Sequence, residues 1–360
     1  MKKLAIYIPS IESGGVEKNL FYISAYLLKK GVDVSIITAN KNKKSFFDNK
    51  INFISPNSNK WNNSSRIVKT LICLILAFKK LPLKNISIFS FQSNISAIIF
   101  SKIFNLKIII RLNTSTDKYI SNFIKKIFFK FFYSLTDQVI VNSLEFKKKL
   151  NDVLKVKSIQ IYNPIKSINN NKKLNDSFFY KYKGLKIMSV GRLTDQKNQI
   201  TILKSLDILK KKKIDFRFFL IGGGYKFNEL KEYVKKNNLS NCIKLAGYKL
   251  NAFNYIKSSD LFVLSSKFEG LPNVMIEAQL LNVPIISSNC STGPKEILLN
   301  GKLGSLFKVG DYFSLSKKIL SYNKDKKILI KKAKLAKKYL YRFDYQKNLN
   351  KYYNLIIKVL

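Results

Sequence analysis

Short runs rich in Ile, Val, Phe and Leu alternate with longer stretches of helical period along nearly the whole chain. That alternation limits the fold more than any other feature of the sequence. Strand-like runs fall at residues 4–9, 32–38, 86–91, 108–112, 138–142 and 159–162, and again at 186–190, 216–221, 243–246, 261–265 and 284–288. Strand, helix, strand in succession needs crossover connections, so the pattern predicts parallel sheets covered by helices on both faces. Between the two sets, residues 166–184 (KSINNNKKLNDSFFYKYKG) are polar and without period, and the domain linker is placed there. The resulting organisation is two doubly wound, Rossmann-like α/β domains at 1–165 and 185–335, with 336–360 a C-terminal helix that packs back on the first domain. Open parallel sheets bind ligands outside the carboxyl ends of their strands, so both sets of strand ends are expected to face an interdomain cleft.

A chain of 360 residues that is 46% apolar and 13% aromatic has material for two cores, which excludes disordered and fibrous classes. Lys and Arg number 66 against 21 Asp and Glu, a net charge of +45. Only five of the 66 are Arg, and the chain is also rich in Asn, Ile, Phe and Tyr, so much of the lysine excess reads as compositional drift on solvated faces. The field that remains attracts phosphate-rich partners without choosing between nucleotides, an anionic leaflet and nucleic acid. Three cysteines at distant spacings within apolar segments suggest neither a disulfide framework nor a zinc site, and a cytoplasmic setting is expected. The opening MKKLAIYIPSIESGG is broken by Pro9 and Glu12 and reads as a first strand, with no export signal. LICLILAF at 71–78 falls far short of the roughly 20 residues needed to cross a bilayer.

The densest chemistry lies in SSKFEGLPNVMIEAQLLNVPIISS, residues 265–288. A strand ends in a loop carrying Glu269, and Gly270 and Pro272 turn the backbone into a helix that starts near Asn273, with Glu277 in its second turn. The N–H groups of residues 273–275 lack intrahelical partners and, with the positive end of the helix dipole, suit a diphosphate. Glu269 and Glu277 then have separate tasks, one on sugar hydroxyls and one on ribose hydroxyls; the alternative is a helix cap and a surface carboxylate. In SVGRLTDQKN, residues 189–198, Gly191 lets the chain leave its strand tightly while Arg192 and Lys197 stand on the following loop, able to neutralise a departing diphosphate. One Arg and one Lys mean little in so basic a chain, yet Arg is scarce here and its fork suits phosphate. Gly14 and Gly15 join the first strand to the first helix, and Gly222 sits in FLIGGGY; each permits close approach to a ligand or is simply a turn. The chain has no His and no Asp-x-Asp pair. His-dependent triads and metal sites are thereby excluded, and leaving-group stabilisation with neither metal nor cofactor is expected.

These residues give the chain a likeness to a known family. It resembles a bacterial glycosyltransferase of family 4, with the two-domain GT-B fold, from the first strand to about residue 320. SVGRLTDQKN resembles that family's G-R-L-x-x-x-K motif and KFEGLPNVMIEA its E-G-x-P-x-x-x-x-E motif. SNCSTGPKEILLNGKLGSLF, residues 288–307, is similar to members that build cell-surface glycans on polyprenyl-diphosphate carriers. The resemblance implies retaining transfer of a hexose or N-acetylhexosamine from a UDP- or GDP-sugar, UDP favoured, to a lipid-linked saccharide in capsule, O-antigen or related polysaccharide synthesis. Carried over by motif, Arg192 and Lys197 would contact the diphosphate, Glu269 would hold sugar hydroxyls near the reacting carbon, and Glu277 would hold the ribose. Gly191, Gly270, Leu271, Pro272, Asn273, Val274, Gly222 and Tyr248 would complete the donor site. Gly14, Gly15 and Asn113 would serve the acceptor side, Asn113 standing in RLNTSTDKY where many members carry a His. The departing phosphate can itself accept the acceptor's proton, so the missing His does little damage to this mechanism.

Within YISNFIKKIFFKFFYSL, residues 119–135, Ile120, Phe123, Ile124, Ile127, Phe128, Phe131 and Leu135 share one helical face bordered by Lys125, Lys126 and Lys130. Such a helix lies in the headgroup layer of an anionic membrane or packs on its own sheet, and the two coexist if it is partly exposed. The first reading makes the protein peripheral on the inner face of the cytoplasmic membrane. Competing functions fit less well. A basic nucleic-acid-binding protein would leave Glu269 and Glu277 without a role and would need a module that is absent, so no nucleic-acid partner is expected. A GT-B epimerase or phosphorylase would need further acidic or His groups. A glycoside hydrolase using the two Glu would have no diphosphate for Arg192 and Lys197 to hold.

Overall fold

The computed structural model describes residues 2–12, 14–114, 122–166, 177–180, 182–249 and 251–360. The β-branched runs assemble two parallel sheets, each in its own unit: Met1–Pro164 with Tyr345–Leu360, and Ile165–Asp344.

In the first unit the strands are β1 (Lys3–Tyr7), β2 (Asp33–Ile37), β3 (Asn52–Ile54), β4 (Ile86–Ser90), β5 (Ile108–Leu112), β6 (Gln138–Val141) and β7 (Ile159–Gln160), in spatial order β3-β2-β1-β4-β5-β6-β7. The pleat sends alternate residues to opposite faces. Ala5, Tyr7, Ile108 and Ile110 enter one core and Leu4, Ile6 and Ile109 the other. Helices α2 (Arg66–Lys80), α3 (Asn94–Ile103), α4 (Phe123–Ser134) and α5 (Leu144–Leu154) cover the first face through Cys73, Ala77, Ile98, Tyr133, Phe146 and Leu150; α1 (Gly15–Lys29) covers the second through Leu20, Ile23 and Leu27. Ser65, Asn122 and Ser143 cap α2, α4 and α5 by accepting hydrogen bonds from Val68, Ile124 and Phe146 N–H.

The second unit opens with α6 (Ser177–Tyr180), which falls within the expected linker; residues 167–176 and 181 of that linker lie outside the described residues. Its strands are β8 (Leu185–Val190), β9 (Phe216–Ile221), β10 (Ile243–Leu245), β11 (Leu261–Leu264), β12 (Ile285–Ser288) and β13 (Ser305–Phe307), in order β10-β9-β8-β11-β12-β13. Helices α7 (Gln199–Lys211), α8 (Phe227–Lys236), α9 (Ala252–Lys257), α10 (Asn273–Leu280), α11 (Pro294–Ile297), α12 (Tyr312–Lys324) and α13 (Lys327–Ala336) surround it. A 3-10 turn at Lys337–Phe343 leads to α14 (Tyr345–Val359), which returns to the first unit and adds Leu349, Tyr352 and Ile356 to the core beneath α1.

Two strands, β3 and β13, were absent from the expected set. Each has three residues and lies at a sheet edge, too short to show any period. More important for function is the order of the inner strands. β8 carries β9 on one side and β11 on the other, and β1 carries β2 and β4 likewise, so each sheet reverses its direction of growth at that strand. The loops leaving the two strands at such a reversal diverge and open a crevice at their carboxyl ends.

Candidate active site

At the reversal in the second sheet, the loops after β8 and β11 are tied together where residues 196–197 meet residues 265–268. Lys267 N–H donates to the Gln196 carbonyl (2.7 Å), and the Gln196 side-chain amide donates to the Phe268 carbonyl (3.0 Å). Ser265 Oγ donates to the Lys197 carbonyl (2.9 Å), and within the β8 loop itself Gln199 Nε2 donates to the Arg192 carbonyl (2.9 Å). From the β12 side, Ser288 Oγ donates to the Ser266 carbonyl (2.7 Å) and Thr292 Oγ1 to that of Glu269. The result is a fixed meeting of two side chains. Lys197 Nζ lies 2.5 Å from Glu269 Oε1, which also accepts from Ser266 Oγ (2.6 Å), and the two side chains keep 15% and 7% of their accessibility. A carboxylate this buried needs polar partners in place of water, and here the lysine and the hydroxyl supply them. Burial, and behind it the nearby Glu269 charge, push the Cys290 thiol up to about 12.

Two glycines allow the backbones to approach this closely. Gly222 has φ +153°, and a Cβ there would lie 1.9 Å from the Gly191 carbonyl oxygen. Gly293 has φ +84°, and its Cβ would lie 2.3 Å from the Gly270 oxygen and 2.9 Å from Pro272 Cδ. Gly191 N–H donates to the Ile221 carbonyl (3.0 Å) and Gly222 N–H to that of Gly247 (2.9 Å), which brings the segment before the exposed Tyr248 beside the glycine turn.

Pro272 occupies the N-cap of α10 with φ −71°, and the helix begins at Asn273 as expected. Glu277 is buried, which removes the surface-carboxylate alternative, and Leu271 and Asn273 are buried with it. Val274 is half-buried and Arg192 is exposed. One expectation needs correction: Met275 N–H is spent inside the turn on the Pro272 carbonyl (3.1 Å), because the first turn tightens. Sequence reasoning missed Gln196, Ser265, Ser266, Ser288, Thr292 and Gly293. Ser288, Thr292 and Gly293 are signalled only by the small-residue run SSNCSTG at the end of β12, whereas Gln196, Ser265 and Ser266 lie inside the two motif segments without a spacing that marks them.

Residues 13–167 match the profile described as Glycosyltransferase Family 4, and residues 171–342 match that of Glycosyl transferases group 1. The chain belongs to glycosyltransferase family 4. It is 33% identical to an uncharacterised glycosyltransferase, MJ1059, of Methanocaldococcus jannaschii over 57% of this chain, spanning 55% of that relative's length. Over 91% of this chain and 92% of the relative it is 27% identical to the N-acetylgalactosamine-N,N'-diacetylbacillosaminyl-diphospho-undecaprenol 4-alpha-N-acetylgalactosaminyltransferase of Campylobacter jejuni. Anabaena HepE, solved with UDP and glucose, superposes with a TM-score of 0.78 at 17% identity, covering 99% of this chain and 100% of that one. The fold of this glycosyltransferase is GT-B.

The remaining expected residues of the glycosyltransferase lie in its first unit. Gly14 is the N-cap of α1 and Gly15 its first residue; Ser13 lies outside the described residues. The Glu17 carboxylate turns back over this start, Oε1 accepting from Glu12 N–H (3.3 Å), so an acidic group of the chain itself occupies the helix end. Asn113, just after β5, is held at both ends of its amide: Nδ2 donates to the Phe91 carbonyl (2.7 Å) and Oδ1 accepts from Arg111. Arg111 is 1% exposed, and its guanidinium also donates to Tyr352 Oη (2.9 Å) and Asn163 Oδ1 (2.6 Å) while stacking 5.4 Å from the centre of the Phe91 ring. Residues 115–121 of this loop lie outside the described residues.

Proposed function

We propose that this glycosyltransferase moves a hexose or N-acetylhexosamine, with retention, from a UDP-sugar or GDP-sugar to a lipid-linked saccharide during assembly of a cell-surface glycan. The observation that carries the donor assignment is the Lys197–Glu269 pair (2.5 Å) held where the β8 and β11 loops diverge. A pair of opposite charges at a ligand crevice is poised to exchange partners. When the nucleotide sugar enters, Lys197 turns to the diphosphate and Glu269 to the sugar hydroxyls, so each charge remains compensated. Arg192, exposed on the same loop, supplies a second cation, and Glu277 on α10 takes the ribose. The bond from the anomeric carbon to the phosphate oxygen breaks, and its electron pair leaves with the nucleotide. The acceptor oxygen bonds to the same face, and its proton passes to the departing phosphate. Side-chain cations and the start of α10 then do the work of charge stabilisation with no metal ion. The Campylobacter relative, whose name specifies a diphospho-undecaprenol acceptor, and the UDP and glucose in the HepE structure support this choice of substrates.

The protein acts at the inner face of the cytoplasmic membrane in this reading, held there peripherally by α4. A donor screen with a short-chain lipid-diphosphate sugar tests the proposal. Glu269→Ala and Arg192→Ala should each lower transfer by about 100-fold or more, the scale of losing one electrostatic contact to a transition state. Near-normal rates in both, or strict dependence on magnesium or manganese, would refute it.

A further inference from the structure

Sequence reasoning left α4 either buried on its sheet or lying on a membrane. The helix is in fact turned outward: Phe123, Ile124, Ile127, Phe128 and Phe131 are exposed, whereas Tyr133 is its one buried residue. It is not alone. On α2, Ile67, Leu71, Ile75 and Phe78 form an exposed stripe opposite the buried Cys73 and Ala77, and on α3 Ile99 and Ile103 do the same. All three helices cover the same face of the first sheet, following β3, β4 and β5, and Phe78 packs on Phe104 at the end of α3 with ring centres 5.7 Å apart.

Compositional drift does not produce this pattern. Among the described residues, 11 of the 20 exposed large apolar side chains fall on these three helices, which make up about a tenth of the chain. An outer helix face in water should be polar, so an apolar outer face shared by three neighbouring helices marks a surface that is covered in use. Charge says by what. None of the three helices contains an Asp or Glu, while Lys79, Lys80, Lys102, Lys125 and Lys130 stand exposed beside the apolar stripes. A second copy of the chain docked on this face would set lysine against lysine with no acid to answer. An anionic leaflet takes the apolar side chains into its acyl boundary and the ammonium groups among its phosphates.

We infer that α2, α3 and α4 together form one membrane-docking surface, on which the first unit lies flat against an anionic bilayer. This deepens the peripheral contact proposed above, which invoked α4 alone, and it predicts a contribution from α2 that the earlier reading does not.

The test is co-sedimentation of the full chain with vesicles of phosphatidylcholine, with and without 30% phosphatidylglycerol, containing no glycan acceptor. Binding should require the anionic lipid and fall with salt. Lys125→Gln/Lys126→Gln/Lys130→Gln should weaken it by about 100-fold, at roughly fivefold for each lysine near an anionic surface. Leu71→Asp/Ile75→Asp on α2 should weaken it by at least tenfold. Leu71, Ile75, Lys125 and Lys130 are exposed and Lys126 is half-buried, so an unchanged melting temperature serves as the folding control. Unaltered binding of the α2 variant would overturn the three-helix surface even if the α4 variant fails to bind. A concentration-dependent dimer without vesicles, abolished by the same α2 substitutions, would overturn it in favour of a second copy. Donor binding, followed in the same samples through UDP, should be unaffected by either variant, so failure here is distinguishable from failure of the catalytic reading.

Discussion

Removing the charge of Lys197 should damage the second unit more than removing the charges of both members of its pair. In Lys197→Met the Glu269 carboxylate, with 7% of its side chain accessible, keeps the Ser266 hydroxyl as its one side-chain hydrogen-bond partner among the described residues. Breaking one side of a buried ion pair costs about 3–5 kcal/mol, and the 15% accessibility left to Lys197 places this pair near the lower figure. For a unit of this size each kcal/mol lowers the melting temperature by roughly 2–4 °C, so a loss of about 3 kcal/mol predicts a fall of about 6–12 °C. Adding Glu269→Gln removes the stranded charge, keeps an acceptor for Ser266, and should return stability to within about 1 kcal/mol of the unaltered chain. Calorimetry of the four chains closes the cycle, and a coupling of at least about 2 kcal/mol is expected. Transfer activity should behave differently, remaining lost in the double variant because the proposed mechanism uses both groups at the transition state. Additive stability losses, or a single variant melting within about 1 °C of the unaltered chain, would mean that the pair does not exist as described.

Gly222→Ala should cost at least about 2 kcal/mol and depress transfer, because its Cβ would drive the Gly191–Arg192 backbone from its place, whereas Gly223→Ala, with nothing within 4 Å, should change stability by about 0.5 kcal/mol or less. Urea midpoints of the two variants provide the measurement, and equal effects would contradict the close approach. Cys73 and Cys290 should resist thiol reagents at pH 8 in the folded chain, since burial holds both thiols above their ordinary 9.0, and should react only on unfolding. The same shift fixes the sign of a pH effect. Above pH 9 the unfolded chain releases protons that the folded thiols keep, so this contribution to stability is full below pH 9 and declines as pH rises. Stability that stays constant from pH 8 to about 11 would refute it.

Strands β5 and β9 were legible to the residue because short runs dominated by Ile, Leu and Phe, each with a single Arg, show no helical period, and α10 was placed because Pro272 fixes where a helix can begin. The motif glycines and charges around Glu269 were legible as well, since each follows a strand at a fixed offset. Their pairing was not. Lys197 and Glu269 lie 72 positions apart, and read from the motifs they have different targets, one a phosphate and one a sugar; only the sheet order makes them neighbours. The hydroxyls of Ser288 and Thr292 obey no spacing rule, because they act on backbone carbonyls of the β11 loop brought near by the fold, and Ser266 is marked out only by the Glu269 carboxylate to which it donates. The outward stripe of α2 escaped notice for a similar reason. Periodicity shows that a helix has two faces, but which one meets the sheet depends on neighbours that the sequence does not reveal.

The return of α14 has a consequence for how the protein is made. Tyr352 closes the hydrogen bonds of the buried Arg111, and Leu349 and Ile356 fill the space beneath α1, yet the ribosome produces all three after the entire second unit. The nascent first half therefore waits, its guanidinium short of one acceptor and part of its interior open to water, while the later half is free to finish. A premature stop codon or proteolytic nick near the last helix would thus cripple the half of the enzyme most distant from it along the message.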